Sequence, residues 1–153
     1  PNVGKSSFIN RMAQSKRAKV EDRPGVTRTK QWVKIGNQME LLDMPGVLWP
    51  KFEDQTVARR LAFTGAINDD IMDLEALAGL AKAYPQVLEQ RYKMTGLDEI
   101  AEDGYAMLEL LGRKRGMLIS GGEVNLERAA ITLLDEFRSG KLGRITLELP
   151  EEA

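Results

Sequence analysis

Gly4-Lys5-Ser6-Ser7, at the mouth of an apolar-periodic segment, constrains the fold more than any other feature of this sequence. Residues 4–14 (GKSSFINRMAQ) read as a helix with Phe8, Ile9 and Met12 on one side. With Pro1, Asn2 and Val3 ahead of it, the helix start reproduces the latter part of G-x-x-x-x-G-K-S/T. A loop turning into a helix at this pattern aims successive backbone N–H groups at a phosphate, and the helix end adds partial positive charge. Gly4 lets the chain pass close to phosphate, Lys5 reaches the β and γ oxygens, and the Ser6 hydroxyl suits Mg²⁺. Asn2, Val3 and Ser7 complete the candidate phosphate loop.

The segments after this helix fit the same chemistry. Residues 15–28 are polar and basic and contain Pro24-Gly25, so they read as an exposed loop. TKQWVKI (29–35) and QMELLDM (38–44) are strand-like runs separated by Gly36-Asn37, a β-hairpin signal. Asp43-Met44-Pro45-Gly46 then breaks the second run, 38 residues beyond Lys5. A D-x-x-G element belongs at this point: its Asp holds a water on Mg²⁺, and the amide of its Gly, here Gly46, senses the γ-phosphate. Thr27, in the loop before the first strand, can complete the Mg²⁺ shell only when the γ-phosphate is present, which makes that loop a switch. Lys5, Thr27 and Gly46 are the candidate catalytic residues; Ser6, Thr27 and Asp43 are the candidate Mg²⁺ residues. Three elements in this order point to a nucleotide-hydrolysing P-loop domain.

After about Pro50 the pattern changes. Segments near 53–64, 69–83, 85–94, 98–113 and 125–139 favour helix, and no convincing strand interrupts them. The last carries Leu126, Ala129, Ala130, Leu133, Leu134 and Phe137 as one apolar stripe, with Asn125 as N-cap and Gly140 as the glycine beyond its end. Leu74, Leu77, Ala78 and Ala81 line the 69–83 helix, for which Asp69 or Asp70 is the expected cap. Residues 144–149 (RITLEL) suit a terminal strand or an ordered tail. The expected fold class is therefore α/β plus all-α. A partial P-loop domain over 1–52 (helix, β-hairpin and switch regions) precedes a helical bundle domain over 53–153.

Composition narrows the chemistry. The 153 residues include no cysteine and no histidine, so disulfides, thiol nucleophiles and the commonest general base and metal ligand are excluded within them. No apolar run approaches the roughly 18 residues of a membrane span, and the expectation is a cytoplasmic location and no membrane partner. The net charge of −1 hides an asymmetry. Residues 1–34 carry nine Lys/Arg against Glu21 and Asp22, whereas residues 35–104 carry six basic against thirteen acidic side chains. Two later basic groups, Arg113-Lys114-Arg115 and Arg138, Lys141, Arg144, are candidates for RNA phosphate contacts. Aromatic residues are sparse near them, so base stacking is not indicated.

Two expected elements are missing. Guanine selection in such domains uses an N-K-x-D element, and 47–153 contains neither it nor the apolar strand that precedes it. Either base specificity is lacking, or those strands lie before Pro1. The residue after D-x-x-G, often a water-orienting Gln, is Val47, followed by Leu48 and Trp49. None of these can orient water.

P-N-V-G-K-S-S-F-I-N, R-P-G-V-T-R, D-M-P-G-V-L-W-P-K-F and the closing G-K-L-G-R-I-T-L-E resemble the circularly permuted GTPases of the ribosome biogenesis GTPase A (YlqF) family. The resemblance covers essentially the whole chain, with Met44 standing where members commonly have Thr. It implies that the N-K-x-D strands precede the P-loop, and that this chain is a C-terminal portion beginning inside that loop. It also implies binding and hydrolysis of GTP to GDP, late assembly of the large ribosomal subunit, docking of the helical part on ribosomal RNA and a monomeric state. The water would be positioned by another group and a monovalent cation, with Asn2 matching the asparagine that ligates K⁺ in similar proteins. The family's proposed catalytic histidine lies upstream of the P-loop, so slow turnover until the ribosome is engaged is expected. The competing readings are a non-catalytic RNA-binding module with a residual P-loop, and a P-loop ATPase.

Overall fold

The computed structural model of the chain describes residues 4–14, 29–35, 39–47, 52–68, 72–100 and 102–149. Contacts divide the chain into two compact units, 1–69 and 70–153. The sequence loses its strands after residue 52, but the contact division comes later and groups the next helix with the first unit.

In the first unit, helix α1 (Lys5–Met12) precedes strands β1 (Gln31–Ile35) and β2 (Met39–Asp43), and helix α2 (Gln55–Phe63) comes after them. The strands pair antiparallel from Ile35↔Met39 to Gln31↔Asp43, so the expected hairpin is present. Its turn at 36–38 lies outside the described residues. Alternation sends Val33 and Leu41 to the face covered by Ile9 and Ala13 of α1. Trp32 and Leu42, one residue along, face the other way, and Trp32 is two-thirds exposed at 67%. Asp54 caps α2 by accepting from the Thr56 amide at 2.7 Å, and that hydrogen bond holds its carboxyl below the usual range.

The second unit contains α3 (Leu74–Ala83), α4 (Pro85–Tyr92), a 3₁₀ turn (Leu97–Ile100), α5 (Gly104–Lys114) and α6 (Leu126–Arg138). Helices α3, α5 and α6 pack on one another. Leu77, Leu80, Leu108, Leu111, Leu133 and Leu134 are among the side chains they bury. Each such leucine contributes roughly 1.5–3 kcal/mol on leaving water. The cap of α3 is Asp73, which accepts from the Ala76 amide at 2.8 Å, and not Asp69 or Asp70. Only an acceptor immediately before the first turn reaches that amide. Asn125 does cap α6, accepting from the Arg128 amide at 2.9 Å, and Gly140 beyond its end takes a left-handed φ of 71°.

Three further features refine the reading. The helix expected over 98–113 is split: Asp103 accepts from the Tyr105 and Ala106 amides and starts α5 afresh. Residues 144–149 form no strand; the Tyr84 hydroxyl donates to the Thr146 carbonyl at 3.4 Å. Between α5 and α6, Leu118 and Val124 form an isolated antiparallel bridge around Gly121 and Gly122. Helices α3 and α5 also approach very closely. A Cβ on Gly104 would lie 2.1 Å from the Ala78 carbonyl oxygen.

Candidate functional site

The phosphate end is built where α1 meets β2. Gly4, the N-cap of α1, takes φ 83° and ψ 11°, a left-handed conformation that glycine adopts without Cβ strain. No side chain caps this helix. The first turn instead presents Lys5, Ser6 and Ser7, of which Lys5 and Ser7 are exposed.

Asp43 ends β2 and is fully buried. Its Oδ2 accepts from Gln31 Nε2 at 3.1 Å and from Ser6 Oγ at 3.4 Å. Lys5 Nζ lies 3.8 Å from Oδ1. Among the described residues Oδ1 receives no hydrogen bond, although it is completely buried. A buried carboxylate oxygen without a donor is costly unless a cation approaches it. The donor set is hard oxygen, a carboxylate beside a hydroxyl, and this fits Mg²⁺ with its preference for few protein ligands plus waters and phosphates. Among the described residues there is no group of three or more His, Cys, Asp or Glu that could hold a metal alone.

Of the residues singled out by sequence, Gly4, Lys5, Ser6 and Asp43 come together here, across 37 positions between Ser6 and Asp43. Gly46 is exposed just beyond Asp43, and Val47 is 82% exposed. Asn2, Val3, Thr27, Leu48 and Trp49 lie outside the described residues. Gln31 is absent from every motif. Its signal is the hairpin register, which sets it directly opposite Asp43.

The later basic groups lie at helix ends. Arg113 ends α5 with Lys114 and pairs with Glu109 at 2.7 Å, while Arg115 is the C-cap. Arg138 ends α6, and Lys141 and Arg144 are exposed beyond it. A network not anticipated from sequence centres on Glu136, buried in the last turn of α6. Its Oε2 accepts from Arg91 Nε at 2.8 Å and Tyr92 Oη at 3.1 Å, and its Oε1 accepts from Arg115 Nη2 at 2.9 Å. A charge in register with Ala129 and Leu133 on the buried face was the available clue.

Burial acts to raise the Glu136 carboxyl, but hydrogen bonds from Arg91 and Tyr92 and both guanidinium charges outweigh it and hold it below its ordinary 4.5. Desolvation, reinforced by Glu136, pushes the Tyr92 phenol up to about 12. A carboxyl depressed in the folded state stabilises fully above its unfolded value, and that contribution disappears as pH falls through the folded value. Urea midpoints should therefore fall more steeply below about pH 4.5 in the parent than in Glu136→Gln. Parallel acid limbs would rule out this role. On the alkaline side the sign reverses, and Tyr92 stabilisation is lost as pH rises from 10 toward about 12.

A lysine and a serine, carried on a glycine-started helix and set against a buried aspartate, make the arrangement by which P-loop domains hold phosphate and its cation. Comparison with known proteins gives the family. Residues 1–100 match the family described as 50S ribosome-binding GTPase, and the chain belongs to that family. Within it, the similarity is to ribosome biogenesis GTPase A. The chain is 50% identical to that protein of Bacillus cereus, over 99% of this chain and 52% of the relative. It is 49% identical to that of Priestia megaterium, over 100% of this chain and 54% of the relative. A solved GDP-bound structure of TM YlqF superposes with a TM-score of 0.65 at 26% identity, covering 99% of this chain and 58% of that one. A GNP-bound YlqF from T. maritima gives 0.62 at 26% identity, with 100% and 57% covered. The chain spans about half the length of the curated relatives it matches.

Proposed function

We propose that the chain carries the phosphate-binding end of a cytoplasmic GTPase acting in late assembly of the large ribosomal subunit, with nucleotide state gating its fit to the ribosome. The observation that carries this reading is the meeting of Lys5 and Ser6 with buried Asp43. Residues 1–52 supply the nucleotide elements, and 53–153 supply the ribosomal RNA contact through Arg113, Lys114, Arg115, Arg138, Lys141 and Arg144. No helix among the described residues is long and apolar enough to cross a membrane.

Backbone amides of Gly4, Lys5, Ser6 and Ser7 orient the phosphates, with Asn2 and Val3 ahead of them in the loop. The Lys5 ammonium binds the β and γ oxygens. Ser6, Asp43 through a water, and Thr27 in the GTP state would hold Mg²⁺, which neutralises phosphate charge when bound. The Gly46 amide reports the γ-phosphate, and Thr27 moves with it. Val47 has no group to orient a nucleophilic water, so turnover is slow until that function is supplied from elsewhere, with K⁺ at Asn2 assisting.

Phosphate release by the whole protein, measured with and without large ribosomal subunits and in K⁺ against Na⁺, tests the proposal. Stimulation by subunits and by K⁺ is expected. No stimulation by either would favour a non-catalytic RNA-binding module, and ATP outcompeting GTP would favour an ATPase.

A further inference from the structure

We propose that Arg91 and Arg115, oriented by Glu136 and Tyr92, form a two-arginine site for the phosphodiester oxygens of RNA, a proposal that rests on the RNA-contact reading above. The two arginines come from different elements, α4 and the end of α5, and neither neighbours the other in sequence. One buried carboxylate gathers both, Oε2 taking Arg91 and Oε1 taking Arg115. Tyr92 lies between these roles: its hydroxyl donates to the same carboxylate, and each guanidinium carbon is 5.8 Å from its ring centroid. That distance is within cation–π range, so each cation is held both at an edge by hydrogen bonding and against a ring.

The charge balance argues for an anionic ligand. A single arginine suffices to neutralise one carboxylate, yet two are fixed on it, leaving one net positive charge. Holding a second long side chain in one geometry costs rotamer entropy. Each arginine has five N–H donors and spends one on Glu136. Among the described residues no other acceptor takes the rest. The arginine side chains are 35% and 41% exposed, whereas the carboxylate between them is 6% exposed. The arrangement is thus anchored inward and open outward. Guanidinium forks match phosphate oxygens in a planar, bidentate manner, and pre-ordering lowers the entropy lost on binding.

RNA backbone fits better than an acidic peptide because the neighbouring charge is spread out rather than focused. Lys114, next to Arg115, and Lys141, beyond the end of α6, are exposed and add cations that suit a polyanionic strand. Arg113 is the contrast. It is paired with Glu109 on its own helix, so RNA phosphate competes with that carboxylate for it. Arg91 carries none of the sequence signals of an RNA contact, since no basic residue adjoins it before Lys93. Only the fold brings it to Arg115.

The test uses the full chain with purified large-subunit ribosomal RNA over a salt series. Arg91→Lys and Arg115→Lys keep the charge and lose the fork, and each is expected to weaken binding about tenfold with the salt slope unchanged. Glu136→Gln separates positioning from plain electrostatics, because removing a negative charge would by itself tighten RNA binding. A positioning role predicts several-fold weaker binding by a chain that circular dichroism shows to be folded. As a second readout, the guanidinium resonances of Arg91 and Arg115 are expected to shift on titration with the dinucleotide uridylyl-uridine. If RNA binds the parent and both lysine variants equally, the arginine pair is overturned while the RNA reading stands. If RNA does not bind but the dinucleotide shifts both resonances, the RNA reading fails and the phosphodiester site stands. Shifts with an oligoglutamate peptide and none with the dinucleotide would overturn the phosphate assignment.

Discussion

Lys5→Ala is expected to lower GTP affinity about a hundredfold, as measured by titrating the whole protein with a fluorescent guanine nucleotide. A hydrogen bond to a charged group is worth about 1.5–3 kcal/mol, which is ten- to roughly 150-fold in affinity. The upper half of that range applies because Lys5 also faces Asp43 at 3.8 Å. Without the ammonium, the buried carboxylate meets incoming phosphate with less positive charge between them. The Lys5 side chain is 43% exposed, so its loss leaves no cavity and far-ultraviolet circular dichroism should be unchanged. Affinity within twofold of the parent would remove Lys5 from the phosphate site. RNA binding should be retained, since the proposed RNA contacts lie in 53–153.

The largest effect on stability is expected at Gly104. Alanine is favoured over glycine in helices by up to about 1 kcal/mol, so propensity alone predicts a gain. Packing overrides it. The new methyl would sit 2.1 Å from the oxygen and 2.6 Å from the carbon of the Ala78 carbonyl, and backbone of a packed helix cannot swing aside as a side-chain tip can. Helices α3 and α5 must separate, which opens space around Leu77 and Leu108. Overpacking of this kind costs about 3 kcal/mol. At about 2–4 °C per kcal/mol for a chain of this length, Tm falls by roughly 6–12 °C. Gly79→Ala is the control: nothing lies within 4 Å of its Cβ position in α3, and it should be neutral or stabilising by up to about 1 kcal/mol. Equal melting of the two variants would show that the close crossing is not a constraint.

Much of this was legible in the sequence where the signals are local. Helix α1, the hairpin and α6 are set by apolar period, and Asn125 and Gly140 mark the ends of α6 because capping depends on residues a turn apart. The meeting of Lys5 and Ser6 with Asp43 was legible through motif chemistry. Other features depended on choices that period does not encode. Asp69, Asp70 and Asp73 offer the same side chain, and only the position of the first helical amide selects Asp73. Apolar spacing runs through 98–113 without showing that Asp103 restarts the helix. The Leu118–Val124 bridge is too short to produce alternation. Arg91 and Tyr92 are far in sequence from Arg115 and from Glu136, and nothing in the chain's local pattern brings the three positions together.

Because Glu136 follows both arginines in the sequence, the network has a consequence for synthesis. Arg91 leaves the ribosome 45 residues ahead of its carboxylate, and Arg115 leaves 21 ahead. At roughly 5–20 residues per second, the first arginine waits about two to nine seconds for its anchor. Until α6 emerges, both guanidiniums swing freely as ordinary solvated cations. The ordered pair thus forms only once α6 has been translated, so a nascent chain that stops short of α6 offers RNA loose charge in place of a fixed fork.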